Sequence, residues 1–158
     1  MSQDFSVTLT HKDAYRFEVE FTDSGFTDFG PFLSDEPEPL GTNLGPSPVH
    51  MLIAAVANCL SASFMIAVNR ASQDVGGMVT KATARIGRNE DRHFRVASID
   101  VEIQVKRDAA DIAEIEDIIS RFTRISTVAL SVFEGIPIVA TVTDTSGRPL
   151  REGSIKKA

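Results

Sequence analysis

From Pro48 to Asn69 the chain carries no aspartate, glutamate, lysine or arginine, and any fold it adopts must accommodate that apolar stretch. Ser47 supplies an N-cap and Pro48 a pre-formed first helical position, so the stretch is predicted to be a long helix. Its core, Met51-Leu52-Ile53-Ala54-Ala55-Val56-Ala57, is apolar on nearly every side. About 20 such residues would cross a bilayer. A central core helix is the better account, because Asn58, Ser61 and Ser63 interrupt the run and alanine rather than leucine dominates it. The strands that flank it also need a buried helix to cover their apolar faces.

Those strands announce themselves by period-two alternation. Tyr15, Phe17, Val19 and Phe21 alternate with Arg16, Glu18 and Glu20, and Phe5, Val7 and Leu9 repeat the pattern upstream. It recurs from Met78 to Ile86, through Ile99, Val101, Ile103 and Val105, and from Ile136 to Val142. At least five strands are expected. The breaker-rich segment from Ser34 to Pro48 reads as a connection within one domain.

A second helix is signalled by Asp108 as N-cap, Asp111 three residues later and Ile112, Ile115, Ile119 and Phe122 at helical spacing. A third is expected from Ser126 to Glu134, with Gly135 placed to end it and Pro137 to prevent its resumption. The expectation is therefore one α+β domain over residues 1–147, followed by a flexible tail over 148–158.

A formal charge of −6 on 158 residues argues against a general nucleic-acid binder, which needs a basic face. The start, Met1-Ser2-Gln3-Asp4, lacks the basic stretch and apolar run of a secretory signal, and a single cysteine excludes an intrachain disulfide. The expected setting is cytoplasmic, without membrane, metal or cofactor.

Gly41-Thr42-Asn43-Leu44-Gly45-Pro46-Ser47-Pro48, leading to Ala54-Ala55-Val56-Ala57-Asn58-Cys59, resembles the OsmC/Ohr family of osmotically induced and organic-hydroperoxide-resistance proteins. Ile125-Ser126-Thr127-Val128 and Gly135-Ile136-Pro137-Ile138 are similar to that family's second-cysteine segment and closing strand. The resemblance implies a two-layer α+β fold in which antiparallel sheets wrap long central helices in an intertwined homodimer. Helix character agrees: a helix apolar on nearly every side needs more cover than one small sheet provides.

The resemblance also implies a chemistry. In the family a cysteine thiolate attacks the peroxide and a second cysteine resolves the sulfenic acid, while an arginine steadies the thiolate and a glutamate holds the arginine. Cys59 matches the attacking cysteine, although a lone cysteine in an apolar helix is also an ordinary small core residue. Ser126 stands in the place of the resolving cysteine, where it can equally serve as a helix N-cap. Val49 and His50 stand where the glutamate is expected. His50 lies about 13 Å along a straight helix from Cys59 and half a turn round, which disfavours a direct dyad. Arg16 is the candidate cation, although it shares the polar face of its strand with Glu18 and Glu20 and suits a surface cross-strand pair. Arg85, Arg88, Arg92 and Arg95 cluster around a hairpin tip and read as solvating it, while His11 and His93 read as solvated side chains in or beside polar connections.

The expected function is a one-cysteine peroxidase that reduces small organic hydroperoxides at Cys59 with an external thiol as reductant. The alternative is a non-catalytic protein that binds a small apolar ligand at the dimer interface. Cys/His hydrolase chemistry falls below both, because no histidine has suitable spacing.

Overall fold

The computed structural model describes residues 3–22, 26 and 29–154. They form two compact units that divide near residue 52.

The first unit is a three-stranded antiparallel sheet of β1 (Val7–Asp13), β2 (Arg16–Phe21) and β3 (Phe32–Ser34), in that order. Of the apolar row predicted for β2, Val19 is buried while Phe17 and Phe21 remain exposed. Val7 and Leu9 of β1 are exposed as well, so within this chain the alternation is present but largely uncovered. His11 lies in β1 beside the turn at residues 14–15 and is exposed, with Nε2 3.2 Å from the Ala14 carbonyl oxygen.

Beyond β3 the breaker-rich segment is organised by one carboxylate. Asp35 is buried and accepts hydrogen bonds from the N–H groups of Glu36, Thr42 and Leu44 and from the Thr42 hydroxyl at 2.8–3.2 Å. Burial works to raise its pKa, but these donors, led by the Thr42 hydroxyl, hold it below the usual aspartate value. The segment folds so tightly that a Cβ on Gly45 would collide with the Leu33 carbonyl oxygen, and one on Gly41 with that of Glu36. Glycine is required by close backbone approach at both places.

Helix α1 (Pro48–Arg70) then begins as predicted. The Met51 N–H donates to the Ser47 carbonyl oxygen, and His50 Nδ1 reaches back to the Ser47 N–H at 3.3 Å and the Ser47 hydroxyl at 2.9 Å. This is the reach-back half of a capping box, with histidine where glutamate or glutamine is usual.

The second unit holds the rest of α1, β4 (Met78–Arg88), β5 (Phe94–Val105), α2 (Ile115–Phe122), α3 (Thr127–Phe133), β6 (Ile138–Thr143) and β7 (Pro149–Ser154). The strands form one sheet in the order β4-β5-β6-β7. Ile99, Val101, Ile103 and Val105 of β5 are at most 2% exposed, which is why their alternation was so clear. On α1 the buried row is Val56, Leu60, Phe64 and Val68, and the Phe64 ring meets that of Phe122 on α2 edge to face at 5.4 Å. Ser61 and Thr80 join α1 to β4 through their hydroxyls at 2.7 Å.

Not every pairing is antiparallel. β5 and β6 run parallel, and the crossover that parallel strands require carries α2 and α3. Residues 149–154 also depart from expectation: they pair antiparallel with β6 as β7. This short edge strand has no apolar alternation to reveal it, and 155–158 lie outside the described residues.

Two helix starts differ as well. Asp108 heads a single 3-10 turn, Ala109–Asp111, without a side-chain cap, and its carboxylate accepts from the Thr145 hydroxyl instead. α2 begins only after Glu114, whose backbone is left-handed. α3 ends just before Gly135, as expected, without a left-handed backbone there: the helix closes through bonds from the Gly135 and Ile136 N–H groups to the Val132 carbonyl.

Among the described residues, α1 is the helix long and apolar enough by length and composition to cross a membrane, and a third of its most apolar window is buried within this chain.

Candidate functional site

Cys59 lies midway along α1 and is half-buried, between Val56 and Leu60, which are fully buried. The element brought against it is the start of α3. Ser126, itself fully buried, has the extended backbone of an N-cap residue, yet its hydroxyl makes no bond to its own helix. The hydroxyl donates instead to Cys59 Sγ at 3.3 Å. The reading of Ser126 as a side-chain cap is therefore corrected.

A second donor completes the arrangement. The Val128 N–H, at the second position of α3, donates to the same sulfur at 3.4 Å. This is a position whose N–H a capping oxygen normally accepts. Cys59 takes that role from far along the chain, so sulfur, hydroxyl and backbone donor form one cluster.

Arg16 belongs to the first unit. There Asp13 clasps its guanidinium through Nε and Nη2 with both carboxylate oxygens. The bond to Asp13 raises the pKa of Arg16 above the ordinary arginine value. The hairpin arginines are tied locally: Arg85 to Asp100 at 2.7 Å, Arg88 to the Arg92 carbonyl at 2.6 Å, and Arg95 to the Phe94 carbonyl at 2.8 Å. The Arg88 guanidinium also stacks 3.9 Å over the Phe94 ring.

Sequence reasoning missed two of the groups that these candidate residues meet. Asp13 had a visible signal, an acid three residues before Arg16 at a hairpin turn. The Val128 N–H had none, since every residue but proline offers the same group.

The profile described as OsmC-like protein matches residues 41–141, well over half of the chain. No curated protein matches in sequence. Among solved structures, an OsmC-like protein of unknown function from Vibrio cholerae is 16% identical with a TM-score of 0.73, covering 89% of this chain and 99% of that one. An organic hydroperoxide resistance protein from Elizabethkingia anophelis is 16% identical with a TM-score of 0.71, covering 92% and 100%. The organic hydroperoxide resistance protein OhrB of Bacillus subtilis is 10% identical with a TM-score of 0.67, covering 89% and 98%.

Proposed function

Because the chain belongs to the OsmC-like family, we propose that it is a one-cysteine thiol peroxidase, in which Cys59 reduces small organic hydroperoxides and an external thiol restores it. The observation that carries this reading is the 3.3 Å contact from the Ser126 hydroxyl to Cys59 Sγ. Ser126 stands in the place of the family's resolving cysteine, and a side chain there reaches the sulfur. A hydroxyl cannot form a disulfide, which leaves resolution to a thiol from outside.

The steps balance without a cofactor. The Cys59 thiolate attacks the terminal peroxide oxygen, the O–O bond breaks, and an alkoxide leaves to take a proton and become an alcohol. Cys59 is then a sulfenic acid. One external thiol displaces water from it to give a mixed disulfide, and a second releases Cys59 and forms the reductant's disulfide. Ser126 and the Val128 N–H steady the thiolate. Arg16 is the cation of this reading, and Asp13 does for it what the family glutamate does for its arginine. That two solved neighbours are organic hydroperoxide resistance proteins supports the substrate class.

The active form of this reading is a cytoplasmic homodimer of one domain, which takes in β7 beyond the expected boundary at residue 147. The exposed apolar side chains of β1 and β2 and the two-thirds of the α1 window left unburied support a second copy as their cover. The profile match, which runs across the division between the two units, supports one domain.

The test is to treat the folded protein with cumene hydroperoxide and a sulfenic-acid trapping reagent, then measure intact mass. The expected product is a single adduct on Cys59, with turnover when a small dithiol is added. If Cys59 stays unmodified in the folded protein and reacts only after denaturation, the peroxidase reading fails, and binding of an apolar ligand at the dimer interface takes its place.

A further inference from the structure

The end of α1 and the flank of α2 enclose a cavity of about 240 Å³ that the Cys59 chemistry does not use. Its apolar wall comes from Ala67, Ala71, Ile118 and Ile125, of which Ala67 and Ile118 are buried and Ile125 is 40% exposed at the rim. Arg70, Arg121 and Arg124 line the same space. Arg121 is held by Asp117 at 2.8 Å along α2. Arg70 and Arg124 have neither hydrogen-bond acceptor nor ion-pair partner for their side chains among the described residues.

That is informative in this chain. Acidic residues outnumber basic ones 22 to 16, and Glu114 and Asp117 line this cavity too, yet neither pairs with Arg70 or Arg124. Arg70 and Arg124, from distant parts of the sequence, line one partly apolar recess, where a bound anion would meet two cations without a competing partner. Guanidinium groups bind carboxylates through paired N–H donors.

We propose that this cavity is a binding site for a small amphipathic carboxylic acid, its carboxylate held by Arg70 and Arg124 and its short hydrocarbon body lying against Ala67, Ala71, Ile118 and Ile125. The volume restricts the ligand to a short chain, because it falls below the roughly 300–1,000 Å³ of pockets for drug-sized molecules. Glu114 and Asp117 in the same lining disfavour a second negative charge on the ligand.

The test is a titration of the full chain with octanoate, octanol and inorganic phosphate, followed by amide chemical shifts. Octanoate is expected to bind saturably at one site and to shift Ala67, Ile118 and Ile125. Arg70→Gln with Arg124→Gln should weaken it about tenfold or more, the loss expected when charge-assisted hydrogen bonds are removed. Both arginines are exposed, so the variant is expected to melt as the parent does. Octanol should bind far more weakly, and phosphate should leave these residues unmoved. Cys59→Ser should bind octanoate as the parent does. Octanol equal to octanoate would reduce the cavity to a hydrophobic crevice, and phosphate equal to octanoate would reduce it to a surface anion patch. Loss of binding in Cys59→Ser would place the ligand in the cysteine site, and absence of saturable shifts would remove the ligand altogether. Each of those four results overturns the proposal.

Discussion

The Ser126 hydroxyl gives its hydrogen bond to the Cys59 sulfur, and the same sulfur accepts the Val128 N–H that a capping side chain would otherwise take. The start of α3 and the middle of α1 are thus joined through one sulfur atom. Substitutions at Ser126 should therefore be felt at Cys59 more than in the helix that follows.

Ser126→Ala should lower stability by no more than about 1.5 kcal/mol, the range for one neutral hydrogen bond. The rate of Cys59 with an organic hydroperoxide should fall about tenfold, because a donor to the thiolate is gone. Chemical denaturation and competition kinetics measure the two effects separately. A variant that loses stability but keeps the full rate would return Ser126 to the role of a simple structural residue.

Ser126→Cys should form a disulfide with Cys59 on oxidation, since the present side-chain approach of 3.3 Å is near enough for small rotamer changes to close an S–S bond. Free-thiol titration should fall to zero without a doubling of mass, and over-oxidation should be suppressed. Persistence of two free thiols after peroxide treatment would count against the geometry.

Asp35 sets an acid limit on stability. Its folded carboxyl lies below the ordinary value, whereas an unfolded aspartate titrates near 3.9. Its contribution is therefore full above about pH 4 and is lost as pH falls through the folded value. Asp144, held low first by the Ser146 hydroxyl, acts with the same sign. Asp35→Asn should lower the urea midpoint at pH 7 and flatten its decline as pH falls below about 4. An unchanged acid slope would show that Asp35 is not a source of it.

Gly45→Ala should destabilise by at least about 2 kcal/mol, because its Cβ would enter the Leu33 carbonyl. Gly135→Ala should fall within about 0.5 kcal/mol, having neither a neighbour within 4 Å nor a left-handed backbone. Thermal melts of the pair check the contrast.

What sequence reasoning recovered follows from where burial acts. The row Ile99 to Val105 and the helix after Pro48 were legible because one pattern of side chains meets one core. β3, three residues long, and β7, an edge strand without alternation, derive their existence from partners and carry little signal of their own. Asp108 and Ser126 misled for a shared reason: both residue types cap helices, and both side chains were taken by distant partners, Thr145 and Cys59. A local motif records what a side chain can do, while the tertiary fold decides which option it takes. The Cys59 position was visible in the resemblance carried by residues 41–48 and 54–59, but its second donor is a backbone group and leaves no trace in residue identity.

The parallel pairing of β5 with β6 has a consequence for the order of assembly. The β4–β5 hairpin closes across residues 89–93, a short span that forms within microseconds. β6 can join only after residues 106–137 have been gathered into the crossover, at a loop-closure cost of about 3 kcal/mol before the constant contribution. Ser126 and Val128 travel on that crossover. The two contacts to Cys59 therefore span 67 and 69 residues of chain, and the sulfur is tied to its donors only through a segment that must itself be gathered first.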